Sequence, residues 1–259
     1  MTFSRTRILR LGSLSLLAGL SYPAAVEAQY PASEPQVRPA PEVPQLRNKT
    51  ASSITAARMV PLDSINPALR ERVHKVLFQP TLATHAPAEE FQASPKIYHW
   101  LMDHPDRTTL AWQRMGVPCS PIADRGQGKF SWSDTQGSEV IWSTVVDTPQ
   151  MRVWYAEGHV KIGALVPSIP IQFAVVVRHA IPSTEVGKIQ HEVDIFCHAD
   201  SRAVNLVYRL VGPTADRMAQ EAAEQMLLFF SAMSTYLTQH PQQVERLLAP
   251  RAPVRATSK

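Results

Sequence analysis

The sequence is poor in the residues that mark specialised architectures. It has 10 Gly and 2 Cys in 259 residues. So little glycine, with no Gly-X-Y period, excludes a collagen-like chain, and two cysteines exclude a disulfide-dense scaffold. Charged residues are only 19% of the chain, against 44% hydrophobic, too apolar a balance for a wholly disordered protein. No internal repeat stands out. The spaced motifs of common chemistries are missing as well. There is no HExxH or CxxC pair for a metal, and no G-x-S-x-G elbow for a nucleophilic serine. Asp124 to Gly128 has glycines but no Walker lysine, and a tight turn between strands explains it.

What is present begins with an export address. Arg5, Arg7 and Arg10 precede the short apolar stretch Leu11 to Leu20, and Val26-Glu27-Ala28 offers small residues to a signal peptidase. The stretch is well short of the ~20 residues a spanning helix needs. Cleavage after Ala28 is expected on the Sec route, to a periplasmic or extracellular location, with no stable membrane span left behind. It removes three Arg and one Glu and lowers the net charge from +4 to +2. A charge that small, without a clustered basic face, gives no case for nucleic acid. Residues 29–65 carry Pro31, Pro35, Pro39, Pro41 and Pro44 and read as a disordered tether. Residues 66–248 read as one folded domain, and 249–259 as a flexible basic tail.

Within the domain, Asn66-Pro67 starts a helix with an apolar stripe of Leu69, Val73, Val76 and Leu77. Thr81 to His85 is a short strand. Ser94-Pro95 and His104-Pro105 open two short helices. Ile97, Tyr98, Leu101 and Met102 face inward on the first, and Leu110, Ala111 and Met115 on the second. From about residue 120 the period changes to that of strands, in an antiparallel meander. The last hairpin is expected to pair Phe173 with Ile195 and Val177 with His191. That puts Ile171, Phe173, Val175 and Val177 on a buried face, and Gln172, Arg178, Gln190, Glu192 and Asp194 on a wet one. An earlier hairpin is expected to pair Trp142 with Trp154 across Asp147-Thr148-Pro149. A helix follows over 200–211, and then a long one from Pro213 to His240, with Ala215, Ala219, Ala222, Met226, Phe229, Met233 and Tyr236 along its stripe.

This order, with the segment Tyr98-His99-Trp100-Leu101-Met102-Asp103-His104-Pro105 and the following Trp112, resembles the START and pollen-allergen superfamily of helix-grip proteins. The chain also resembles a group of secreted bacterial proteins, which adds no chemistry. The superfamily resemblance implies an α+β fold: a curved antiparallel sheet gripping a long C-terminal helix, with two short helices near the start of the domain. It also implies a cavity between sheet and helix. The residues expected to line it are Phe173, Val175, Val177, His191, Val193, Met226, Phe229, Phe230 and Met233.

The expected function is therefore a non-enzymatic, exported binder of an apolar small molecule or lipid, with no cofactor. Two alternatives stand beside it: an envelope scaffold with a closed core, and a small-molecule cyclase or hydrolase on the same fold. An inward His191 either bonds a ligand's polar group or is a satisfied core residue. A metal site at His191, Asp194 and His198 is opposed by strand alternation, which sends His191 to one face and the other two to the opposite one. Cys119 and Cys197 are a possible disulfide, since export permits oxidation.

Overall fold

The computed structural model describes residues 51–161, 168–199 and 214–250. The signal segment, most of the tether, the helix expected over 200–211 and nearly all of the tail lie outside the described residues. The elements in chain order are α1 (Ala51–Met59), a 3-10 turn (Leu62–Ser64), α2 (Pro67–Phe78), β1 (Leu82–Ala93), α3 (Pro95–Asp103) and α4 (Pro105–Arg114). Then come β2 (Ile122–Gly126), β3 (Lys129–Ser133), β4 (Glu139–Thr148), β5 (Met151–Val160), β6 (Ile169–Ala180), β7 (Gly187–His198), α5 (Thr214–Gln239) and α6 (Val244–Leu248).

The local signals act as chemistry requires. The Asn66 side chain accepts from Ala68 N at 3.0 Å and caps α2, with Pro67 at its first position. Gly116, at φ +82°, takes the left-handed conformation that closes α4. Pro105 separates α3 from α4, and Trp112 Nε1 donates to Phe229 O at 3.1 Å, tying α4 to α5. On α4 the inward residues are Thr108, Thr109, Ala111 and Trp112, whereas Leu110 and Met115 are only half-buried.

All seven strands form one antiparallel sheet in the order β1-β7-β6-β5-β4-β3-β2. The first strand is much longer than its sequence suggested. Pro87 and two glutamates disguise it, and they are tolerated because β1 is an edge strand with a bulge between Ala86 and Glu89. Two registers differ from expectation by two residues. Phe173 pairs with Cys197, Val177 with Val193, and His179 with His191. Trp142 faces Ala156, and Trp154 faces Thr144, because the turn sits at Pro149-Gln150 and β4 bulges between Thr144 and Val146. A two-residue slip keeps every side chain on its expected face, so the hydrophobic pattern alone could not detect it.

The expectation of a curved sheet is corrected: the sheet is not strongly curled. It is open, with β1 and β2 at its edges. Both faces of its β5–β6–β7 part are covered, which also corrects the expectation of one wet face. Ala174, Val176 and Phe196 point outward and bury against Ala56 and Ala57 of α1 and Val73, Val76 and Leu77 of α2. Thus α1 and its 3-10 turn occupy residues expected to be tether. α5 lies along the β1–β7 margin of the inner face. Its buried ridge runs through Ala223, Leu227, Phe230, Ser234 and Leu237, with Phe229 and Met233 beside it.

Candidate functional site

The inner layer is built from alternate residues of β5, β6 and β7 and the facing ridge of α5. Of the residues expected to line a cavity, Val175, Val177, Val193, Phe229, Phe230 and Met233 are buried in one apolar cluster. Phe230 stacks on Trp154 at 5.9 Å and meets Phe229 edge-on at 5.0 Å. Met226 and Phe173 are half-buried, and Phe173 belongs to a neighbouring cluster with Trp132, Val140 and Ile171. His191 is also inward, only 1% exposed.

His191 is not alone. The true register sets His179 of β6 directly beside it, and Glu89 of β1 on its other side. Tyr98 and His99 come down from α3. The Tyr98 hydroxyl lies 3.2 Å from His191 Nδ1, and Glu89 Oε2 lies 3.9 Å from His191 Nε2, too far for a hydrogen bond. Ser231 of α5 donates to the other Glu89 oxygen at 3.2 Å. The Phe91 ring packs against both Tyr98 and His191, and His179 meets Tyr98 and His99 edge-on. Further along the same face, Arg152 is 2% exposed and sits between Asp103 at 2.6 Å and Asp147 at 3.0 Å. The Asp103 contact is an ion pair without hydrogen-bond alignment, so Nη1 has a charge partner but no directed hydrogen bond.

Several buried polar atoms of this cluster have no hydrogen-bond partner: both ring nitrogens of His179, Nε2 of His191 and Nη1 of Arg152. Buried polar groups are ordinarily paired, so unpaired nitrogens on adjacent strands invite a partner from outside the chain. The electrostatics oppose net charge here. Burial, His99 and Arg152 lower the His179 pKa to about 4. Burial, then Arg152, also lowers that of His99. Burial raises the Tyr98 phenol, against the pull of Arg152.

Two open clefts lie away from the sheet–α5 layer. One, of ≈ 420 Å³, is lined by Leu69, Asp103, Lys129, Phe130 and Asp147, so the carboxylates that hold Arg152 form part of its wall. The other, of ≈ 550 Å³, is bordered by the exposed ion pair Arg125–Glu139 and by Glu157 and His159. Among the described residues no three His, Cys, Asp or Glu side chains converge as metal ligands. Cys119 and Cys197 are free thiols, so the possible disulfide is not formed. Burial pushes Cys119 up to about 11 and Cys197 to about 12, leaving both poor nucleophiles.

Sequence reasoning found His191 and turned Tyr98 inward as a core residue, but it missed His179, Glu89 and Arg152. The signal that could have found His179 was the register: a hairpin closed two residues further out pairs the histidines.

Among the described residues the order of one strand, two short helices, six antiparallel strands and a long helix is the helix-grip order, built here on a sheet that is not strongly curled. No family model matches the sequence, and no curated protein matches it. Among solved structures, a conserved protein from Geobacillus kaustophilus is similar over 60% of this chain and 95% of its own, at 10% identity and a TM-score of 0.39. A norcoclaurine synthase point mutant from Thalictrum flavum, in complex with a transition-state analogue, is similar over 60% of this chain and 94% of its own, at 13% identity and a TM-score of 0.34. A START superfamily protein from Mycobacterium smegmatis is similar over 60% of this chain and 99% of its own, at 14% identity and a TM-score of 0.34. These are likenesses of outline, and no residue role is carried over from them.

Proposed function

We propose that this chain is an exported, non-enzymatic binder of an apolar small molecule or lipid, held in the layer between the sheet and α5. The observation that carries the reading is the set of unpaired nitrogens on His179 and His191 at the polar end of a layer that is apolar along α5. An apolar guest with one polar end would bury its body against the Phe, Met and Val side chains. Its polar end would complete the missing hydrogen bonds. Burial of the body would drive binding at roughly 25 cal/mol per Å², less the cost of association. Half-buried Met226 and Phe173 suit an adaptable apolar edge. The N-terminal basic and apolar stretch supports export.

The same cluster favours binding over catalysis. A general acid or base works best with a pKa near the operating pH. Tyr98 and His179 are shifted away from it in opposite directions, each toward its neutral form. Such groups are suited to directing hydrogen bonds. The test is to purify the protein gently from its own host, extract it with organic solvent and analyse the extract by mass spectrometry. An apolar species in near-stoichiometric amount is expected; an extract free of any such species contradicts the proposal.

A further inference from the structure

We propose that the guest's polar end is an uncharged hydroxyl, received by the His179–His191 pair, and that anionic and cationic head groups are both refused. This deepens the binding reading above and rests on it.

The hydrogen-bond inventory comes first. A neutral imidazole presents one N–H donor and one lone-pair acceptor, and both ring nitrogens of His179 lack partners at 5% exposure. On the neighbouring strand His191 has Nδ1 beside the Tyr98 hydroxyl and Nε2 without a hydrogen bond. A hydroxyl both donates and accepts, so it can meet a donor on one ring and an acceptor on another. A carboxylate only accepts, and an ammonium only donates.

The charge balance points the same way. Among the described residues the guanidinium on this face, Arg152, is already held between Asp103 and Asp147, and Glu89 stands beside His191. Asp103 and Asp147 commit that arginine and Glu89 adds a carboxylate at His191, so among the described residues an incoming anion meets no uncommitted positive charge. The protein's own side chains report how the layer treats each sign. A negative charge on Tyr98 is disfavoured by burial in spite of Arg152. A positive charge on His179 is disfavoured by burial, by His99 and by Arg152, against the pull of Asp147. A guest's carboxylate or ammonium placed among these rings would meet the same opposition.

The test uses the purified full-length chain, freed of bound lipid, and three probes of equal length below their micelle concentrations: 1-dodecanol, dodecanoic acid and dodecylamine. Binding is read by native mass spectrometry and by quenching of tryptophan fluorescence. Dodecanol is expected to bind about tenfold more tightly than either charged probe, the size of one well-made hydrogen bond. His179→Phe is expected to reduce dodecanol affinity by a similar factor while leaving the unfolding midpoint near that of the parent. Acid or amine binding as tightly as the alcohol overturns this inference and leaves the binding reading standing. No binding by any of the three overturns both. The probe ranking in the parent protein decides the matter even where the variant folds poorly.

Discussion

Two polar clusters sit back to back on the same pair of strands. Arg178 and Asp194 point outward from β6 and β7; His179 and His191, one and three residues away, point inward. The outer cluster is well paired. Asp194 is wholly buried, accepts from Ser53 Oγ at 2.9 Å and Arg178 Nη2 at 2.9 Å, and lies 3.1 Å from His85 Nδ1. Arg178 also reaches Glu192 at 3.1 Å and Ser52 at 3.3 Å, and its Nε is left without a partner. These bonds pin the first turn of α1 to the sheet. The inner cluster is as deeply buried, yet both nitrogens of His179 are unpaired. The outer constellation satisfies its carboxylate and is structural, whereas the inner one leaves a whole imidazole without hydrogen bonds, and the proposed binding site rests on that difference.

The largest effect belongs to Asp194. Asp194→Ala removes the buried carboxylate shared by Ser53, Arg178 and His85, and with Glu192 still beside Arg178 it lowers stability by about 3 kcal/mol, the low end for breaking a buried ion pair. Denaturant unfolding measures it, and a loss below ~1 kcal/mol would remove the structural role of the outer cluster.

The next effect belongs to the inner side and is a matter of pH. The His179 pKa is depressed from 6.5 to about 4 in the folded protein. Below pH 6.5 the unfolded chain gains a proton that the folded one refuses. His179 therefore lowers stability as pH falls through that window, by roughly 2–3 kcal/mol at the acid end. Stability curves of the parent and His179→Phe, measured between pH 7 and pH 4, should diverge by that amount, with the variant the more stable in acid. Parallel curves would contradict the assignment.

At neutral pH the same variant sharpens the contrast with Asp194→Ala. Replacing an unpaired buried ring by an apolar one of similar size changes stability by less than about 1 kcal/mol. A large loss would mean that His179 has a structural partner. Smallest of all is the effect of reductant. Cys119 and Cys197 are free, so dithiothreitol should leave the unfolding midpoint where it was. A clear drop would show a disulfide.

Much of the architecture was legible in the sequence because local chemistry decides it. Asn66-Pro67, Ser94-Pro95 and His104-Pro105 start helices where expected, and the long helix runs within a residue of its expected ends. What failed depended on partners distant in sequence. Nothing near Ala51 says that α1 will dock, because its anchor is Asp194, 141 residues beyond Ser53. The outer helical layer over β6 and β7 is likewise not revealed by the periodicity of those strands. The site was half legible: alternation turned His191 inward, but the register that brings His179 to it depends on where a long turn closes. Arg152 carried no sequence signal of its own, because its partner Asp103 comes from α3, distant in the chain.

The most direct test of the unpaired histidines as a receiving site is the ¹⁵N NMR of the imidazole rings, recorded on the full chain before and after addition of dodecanol and assigned with single His→Phe variants. The account predicts that the His179 and His191 nitrogens shift together while those of His85, in the outer cluster, stay in place. Unmoved inner signals, or movement confined to His85, would contradict it.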